Sequence, residues 1–229
     1  MKARTYISKG LLVFAFLGFE FLLLALEYMI FDLPRGAEFN LWSPLWYRTV
    51  THWSLTILLW SIGCIYFYKW SKKNDVLQDL FSFQFNKKTA VLSVITVLLC
   101  LGLNYLVDVK LEGSKTFPQV YGEFKHFKEM YGNKAVVMSI FQNLYYVAES
   151  LLVVWIVAFM QKAGEIWTHR KFVWGALGLT LTWGIIHFLS HPVGAIFTTA
   201  GAFIFGAFYL MTKKSLYPVF LFILLTFIF

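Results

Sequence analysis

Seven stretches of this sequence, 10–32, 49–69, 89–108, 136–161, 172–190, 192–211 and 215–229, are apolar for most of their length and are separated by polar or charged segments. That pattern leaves few folds open. A backbone in hydrocarbon must satisfy its own N–H and C=O groups, and a helix of about 20 apolar residues crosses the roughly 30 Å interior of a bilayer. Six of the stretches meet that length, while 215–229 extends only about 22 Å as helix. Composition agrees, at 59% hydrophobic, 20% aromatic and 14% charged, too few charges for an ordinary water-soluble surface. The expected fold is all-α: a polytopic membrane helical bundle of about seven transmembrane helices in one integrated domain.

Lys2, Arg4 and Lys9 precede the first apolar run as they would in a secretory signal, but that run is too long and no small-x-small cleavage site follows it, so a retained span is expected. With the amino terminus cytoplasmic, inside segments that include Lys69, Lys72, Lys73, Lys87, Lys88, Arg170 and Lys214 carry most of the 20 basic residues. The expectation is an integral protein of the cell membrane, N-terminus in and C-terminus out. The net charge of +8 suits anionic lipid headgroups, and no base-reading module points to nucleic acid. Cys64 and Cys100 both fall inside spans, where a thiol acts as a small apolar side chain and implies no disulfide framework.

Organisation follows from the loops. Residues 1–135 read as N-terminal transmembrane helices with an external amphipathic loop, and 136–229 as a four-helix core. In that loop Phe117, Tyr121, Phe124 and Phe127 fall at helical spacing with Glu123, Lys125 and Lys128 between them, as in a helix lying along the membrane interface. A lid is the alternative. Gly194, Thr198, Ala202 and Gly206 recur every four residues in the sixth span, a small-residue stripe that lets a neighbouring backbone approach. The short last span predicts packing beside another chain, as a hetero- or homo-oligomer.

A polar side chain in hydrocarbon is costly, so each one within a span asks for a partner or a function. Glu20 and Glu27 lie seven apart on one face of the first span and suggest hydrogen bonding to neighbouring helices or a proton or cation path. His52, His126 and His169 fall in loops or at span ends, where no buried partner is expected. Gln142, Asn143 and Glu149 sit in the fourth span and His187 and His191 close the fifth. At 1.5 Å per residue, Glu149 lies roughly 18 Å from the cytoplasmic end of its helix and His187 roughly 22 Å from its own. The two are nearly level. A carboxylate and an imidazole at one depth on adjacent helices can share a water, the arrangement for general-base attack on a peptide carbonyl. Ala176, Thr180 and Gly184 are expected to leave room beside the His187 ring.

From Gln142 to Phe222 the sequence resembles the CPBP family, the CAAX proteases and bacteriocin-processing enzymes also called Abi, in "AESLLVVWIVAFMQKAGE", "WGIIH" and "TTAGAFIFGAFYLMTKKSLYPVFL". The resemblance implies an intramembrane glutamic protease core in the C-terminal half, with Glu149 activating water. The family's second motif is an aromatic residue followed four positions later by histidine, and Trp183 with His187 fits it, Trp standing for the usual Phe. The departures are Ser150 and Val154 in the first motif, and Phe222 and Thr226 where the family's oxyanion-binding histidine and asparagine would fall. Losing one oxyanion donor typically costs about 2.7–4 kcal/mol. His191, Gln142 or Asn143 are the residues that would replace it.

The residues support two readings. In one, Glu149 and His187 hydrolyse a peptide or a membrane-protein tail, supported by His191, Gln142, Asn143 and Trp183. In the other, the chain keeps the fold without the reaction and serves as a scaffold, regulator or immunity partner of another membrane or envelope protein. A zinc site of His187, His191 and Glu149 is disfavoured, since Phe188 stands where the usual metalloprotease glutamate would come after the first histidine. No cofactor or metal is expected. Membrane lipids and a peptide or membrane-protein substrate or partner are.

Overall fold

The structure, a computed structural model, describes residues 1–36, 38, 44–83, 86–106, 117–170, 172–185, 187 and 192–229, with 103 and 192–198 described by backbone alone. The described residues form helices α1 (Ala3–Glu27), α2 (Trp46–Lys73), α3 (Leu77–Leu80), α4 (Lys87–Tyr105), α5 (Gln119–Tyr131), α6 (Ala135–Thr168), α7 (Trp174–Leu179), α8 (Pro192–Met211) and α9 (Leu216–Ile228). Among them there is no strand, and only an isolated bridge between Ser82 and Ser215 ties the α3 segment to the α8–α9 turn. Every apolar stretch of the sequence has a helix on it. Three helical segments, within Ala3–Arg35, Trp46–Lys73 and Gln119–Thr168, are long and apolar enough to cross a membrane. That is the build of a membrane protein.

Helix α6 is the axis of the bundle. It packs against α1, α2, α5, α7 and α9, and its residues Leu152 to Phe159 are buried without a break. A helix apolar on all sides is one enclosed by others. Around it Trp155 stacks on Phe159 at 5.2 Å, and Phe67, Trp70 and Phe81 close the same aromatic layer. The peripheral helices turn large apolar side chains outward, with Leu98 and Leu99 of α4 and Leu58 and Ile62 of α2 more than half exposed.

Close backbone approach brings α6, α7 and α8 together. A Cβ at Gly206 would lie 2.6 Å from the Ala176 backbone nitrogen, and one at Gly175 would lie 2.6 Å from the Val157 carbonyl oxygen. Gly206 of the α8 stripe thus meets the small face of α7. Ala176 is in this contact and Gly184 faces Thr199 of α8, so these residues seat a helix rather than leave room beside His187. Gln161, fully buried, holds the turn between α6 and α7: its Nε2 donates to the Phe172 carbonyl at 2.8 Å and its Oε1 accepts from Gly175 N–H at 2.9 Å.

Two wide turns interrupt the regular winding. Tyr28–Asp32 comes after α1 and Thr180–Gly184 after α7, each a single π-helical turn. Such a turn adds a residue to the helical repeat and so rotates the chain beyond it about the helix axis. Asp32 and Trp183 both lie in them and both point inward, 3% and 6% exposed.

Helix α5 is packed into the bundle. Phe127 is fully buried against Trp53 of α2, ring centroids 5.7 Å apart, and Tyr131 and Met138 complete that cluster. Tyr121, by contrast, is 56% exposed. The loop residues 107–116 lie outside the described residues.

Candidate functional site

A cavity of about 430 Å³ runs between α1, α2, α5, α6 and the segment after α7. Its walls carry four glutamates, Glu20, Glu27, Glu123 and Glu149, together with Arg48 and the two imidazoles of His52 and His187. Polar groups at this density inside an apolar bundle are there at a cost in stability, which is the signature of a functional interior.

Glu149 and His187 line this one cavity, each partly exposed to it. Trp183 joins them. Its indole N–H donates to Glu149 Oε1 at 2.9 Å, and its ring lies 4.4 Å from the His187 ring, centroid to centroid. His187 Nδ1 in turn donates to the Trp183 carbonyl at 2.9 Å. Because a carbonyl only accepts, the neutral ring keeps its proton on Nδ1 and offers Nε2 as an acceptor. Acid, indole and imidazole thus form one connected unit.

Of the amides considered as further donors, Gln142 is 4% exposed, lines the cavity and donates to the Tyr146 hydroxyl at 2.9 Å. Asn143, about 100° further round α6, does not line that cavity. It donates to the Ser139 carbonyl at 2.7 Å and lines a separate apolar groove with Phe124 and Leu144. His191 lies outside the described residues.

The departures from the motif pattern are all absorbed by packing. Ser150 is fully buried and its hydroxyl donates back to the Tyr146 carbonyl, while Val154 lies in the central core. Phe222 packs edge-on against Phe205 and Phe208, with centroids 5.4 and 4.8 Å away. Thr226 bonds within the α9 backbone and touches Cys100 of α4.

A second polar cluster was not expected in this form. His52, assigned to a span end, is in fact 6% exposed and sits between two acids: Nε2–H donates to Glu20 Oε1 at 3.3 Å, and Nδ1 is 3.2 Å from Glu27 Oε2. Glu20 also accepts from the Tyr145 hydroxyl at 2.8 Å, which ties α1 to α6. One turn from His52, Arg48 pairs with Asp32 at 2.5 Å, both groups almost wholly buried. Toward α5, Tyr146 donates to Glu123 at 2.5 Å, and Gln119 donates to the same oxygen at 2.8 Å. Arg48 and His52 at i and i+4 on α2, facing Glu20 and Glu27 on α1, were the signal available in the sequence; reading the second span from Thr49 hid it.

Comparisons with known protein families, with curated proteins and with solved structures returned no match.

Proposed function

We propose that this protein is a CPBP-like intramembrane glutamic endopeptidase of the cell membrane, a bundle of about seven spans with its amino terminus in the cytoplasm. Its reacting groups are Glu149 and His187. The observation that carries this reading is their shared cavity, with Trp183 bonded to the one and in ring contact with the other. Glu149 takes a proton from water as the oxygen attacks a peptide carbonyl and gives that proton to the leaving amine as the C–N bond breaks, while His187 Nε2 accepts the water's other hydrogen bond and orients it. Gln142, whose amide lines the cavity on one helical stripe with Glu149, is the candidate donor to the developing oxyanion.

The substrate is a peptide or the tail of a membrane protein. The test is comparative proteomics of membranes from cells that lack the gene and carry wild type, Glu149→Gln or His187→Ala. A cleavage product that wild type generates and both variants fail to generate is expected. Fragment sets that do not differ among the three would rule out hydrolysis.

One observation favours a second reading, a non-catalytic scaffold, regulator or immunity partner. Phe222 and Thr226 are bound into the α4–α8–α9 packing and offer no donor to the cavity. Under that reading both variants rescue the null phenotype as well as wild type does.

A further inference from the structure

The Glu20–His52–Glu27 cluster lies in the same cavity as Glu149 and His187 but has no part in the hydrolytic step. Its charges do not close. Arg48 pairs with Asp32 at 2.5 Å, and among the described residues that line the cavity the other groups able to carry positive charge are the two imidazoles. Even with His52 counted as imidazolium, it balances only one of Glu20 and Glu27. Glu20 also accepts from Tyr145. Glu27 has less: the residue is 3% exposed, lines the cavity, and its Oε1 has no hydrogen-bond partner among the described residues. A buried carboxylate oxygen without a donor is an expensive arrangement that an incoming cation relieves.

We infer that this end of the cavity binds a basic side chain of the peptide ligand, a lysine ammonium or an arginine guanidinium seated on Glu27. The shape suits an organic cation better than a metal ion. His52 holds Glu20 and Glu27 at opposite nitrogens of its ring, so the carboxylates do not converge on one point, and no metal-holding group of three His, Cys, Asp or Glu is present among the described residues. The walls beside the acids are Leu24, Phe21 and Trp53, apolar surface along which an alkyl stem can lie while its head reaches the carboxylate. The ligand's backbone would then extend along the cavity to Glu149 and His187, which line it too.

The inference rests on the cavity being a peptide site, and its test is separable from the test of hydrolysis. The full-length protein in phosphatidylcholine nanodiscs is titrated against a fluorescent, end-blocked Leu/Ala peptide with one central lysine, and against the same peptide with norleucine there. Wild type is expected to bind the lysine peptide at least tenfold more tightly, and Glu27→Gln to reduce that preference to under twofold. Glu149→Gln, which stops hydrolysis in the proposed reaction, keeps the preference. A second measurement needs no variant: carbodiimide labelling of Glu27 in wild type, read by mass spectrometry, falls at least threefold with the lysine peptide and is unchanged by the norleucine peptide. Equal binding of the two peptides, binding of neither, or labelling of Glu27 that the lysine peptide does not reduce overturns the inference.

Discussion

Trp183 and Glu149, thirty-four residues apart in the chain, are joined by an indole N–H to carboxylate bond of 2.9 Å. The bond crosses from the segment after α7 to the middle of α6 and fixes which oxygen of the acid faces the cavity. A phenylalanine at 183 would keep the ring but lose the donor.

Trp183→Phe is therefore expected to leave helicity intact and to remove about 0.5–1.5 kcal/mol of stability, the usual net worth of one hydrogen bond. Circular dichroism and a thermal melt in detergent check both parts. An unchanged melting midpoint would mean that the bond is not made.

Asp32 and Arg48 form the most deeply buried ion pair described, with side chains 5% and 2% exposed. Removing one partner strands the other charge, so Asp32→Leu should cost about 3–5 kcal/mol, whereas Asp32→Leu with Arg48→Met should regain most of it. A double variant no more stable than the single one would contradict the pairing.

Gln161 satisfies two backbone groups at the α6–α7 turn. Gln161→Leu leaves Gly175 N–H and the Phe172 carbonyl without that side chain, a loss of about 1–3 kcal/mol for each group left unsatisfied. Hydrogen exchange at residues 172–176 should accelerate relative to the centre of α6, and uniform exchange would count against the role.

At Gly206 the neighbour is backbone, which cannot rotate aside. Gly206→Val forces α8 away from α7 and is expected to destabilise the bundle by about 1–3 kcal/mol. Gly102→Val on α4, where a Cβ meets nothing within 4 Å, serves as the control and should lower the midpoint far less.

Much of the fold was legible because the solvent is part of the sequence's problem: apolar runs long enough for a bilayer favour helices, and among the described residues each run carries helix, three of the helices being long and apolar enough to cross a membrane. The Gly206 contact was legible for a similar reason, since small residues every four positions on a helix have one common use. Counting rise per residue predicts Glu149 and His187 at one depth, and the structure has both of them lining one cavity. Counting fails past an irregular turn, however, and neither the wide turn at Thr180–Gly184 nor the one at Tyr28–Asp32 leaves a mark in hydrophobic periodicity.

What the sequence determined by itself was the helical membrane architecture and which side chains would be too polar for it. Only the tertiary structure decided how those side chains met. It set His52 between Glu20 and Glu27, aimed Gln142 rather than Asn143 at the cavity, and buried Phe222 in an apolar layer. The physical reason is range: apolar length and period are local properties of a chain, whereas the pairing of charges across a bundle depends on the rotation of each helix about its axis, which packing with its neighbours sets.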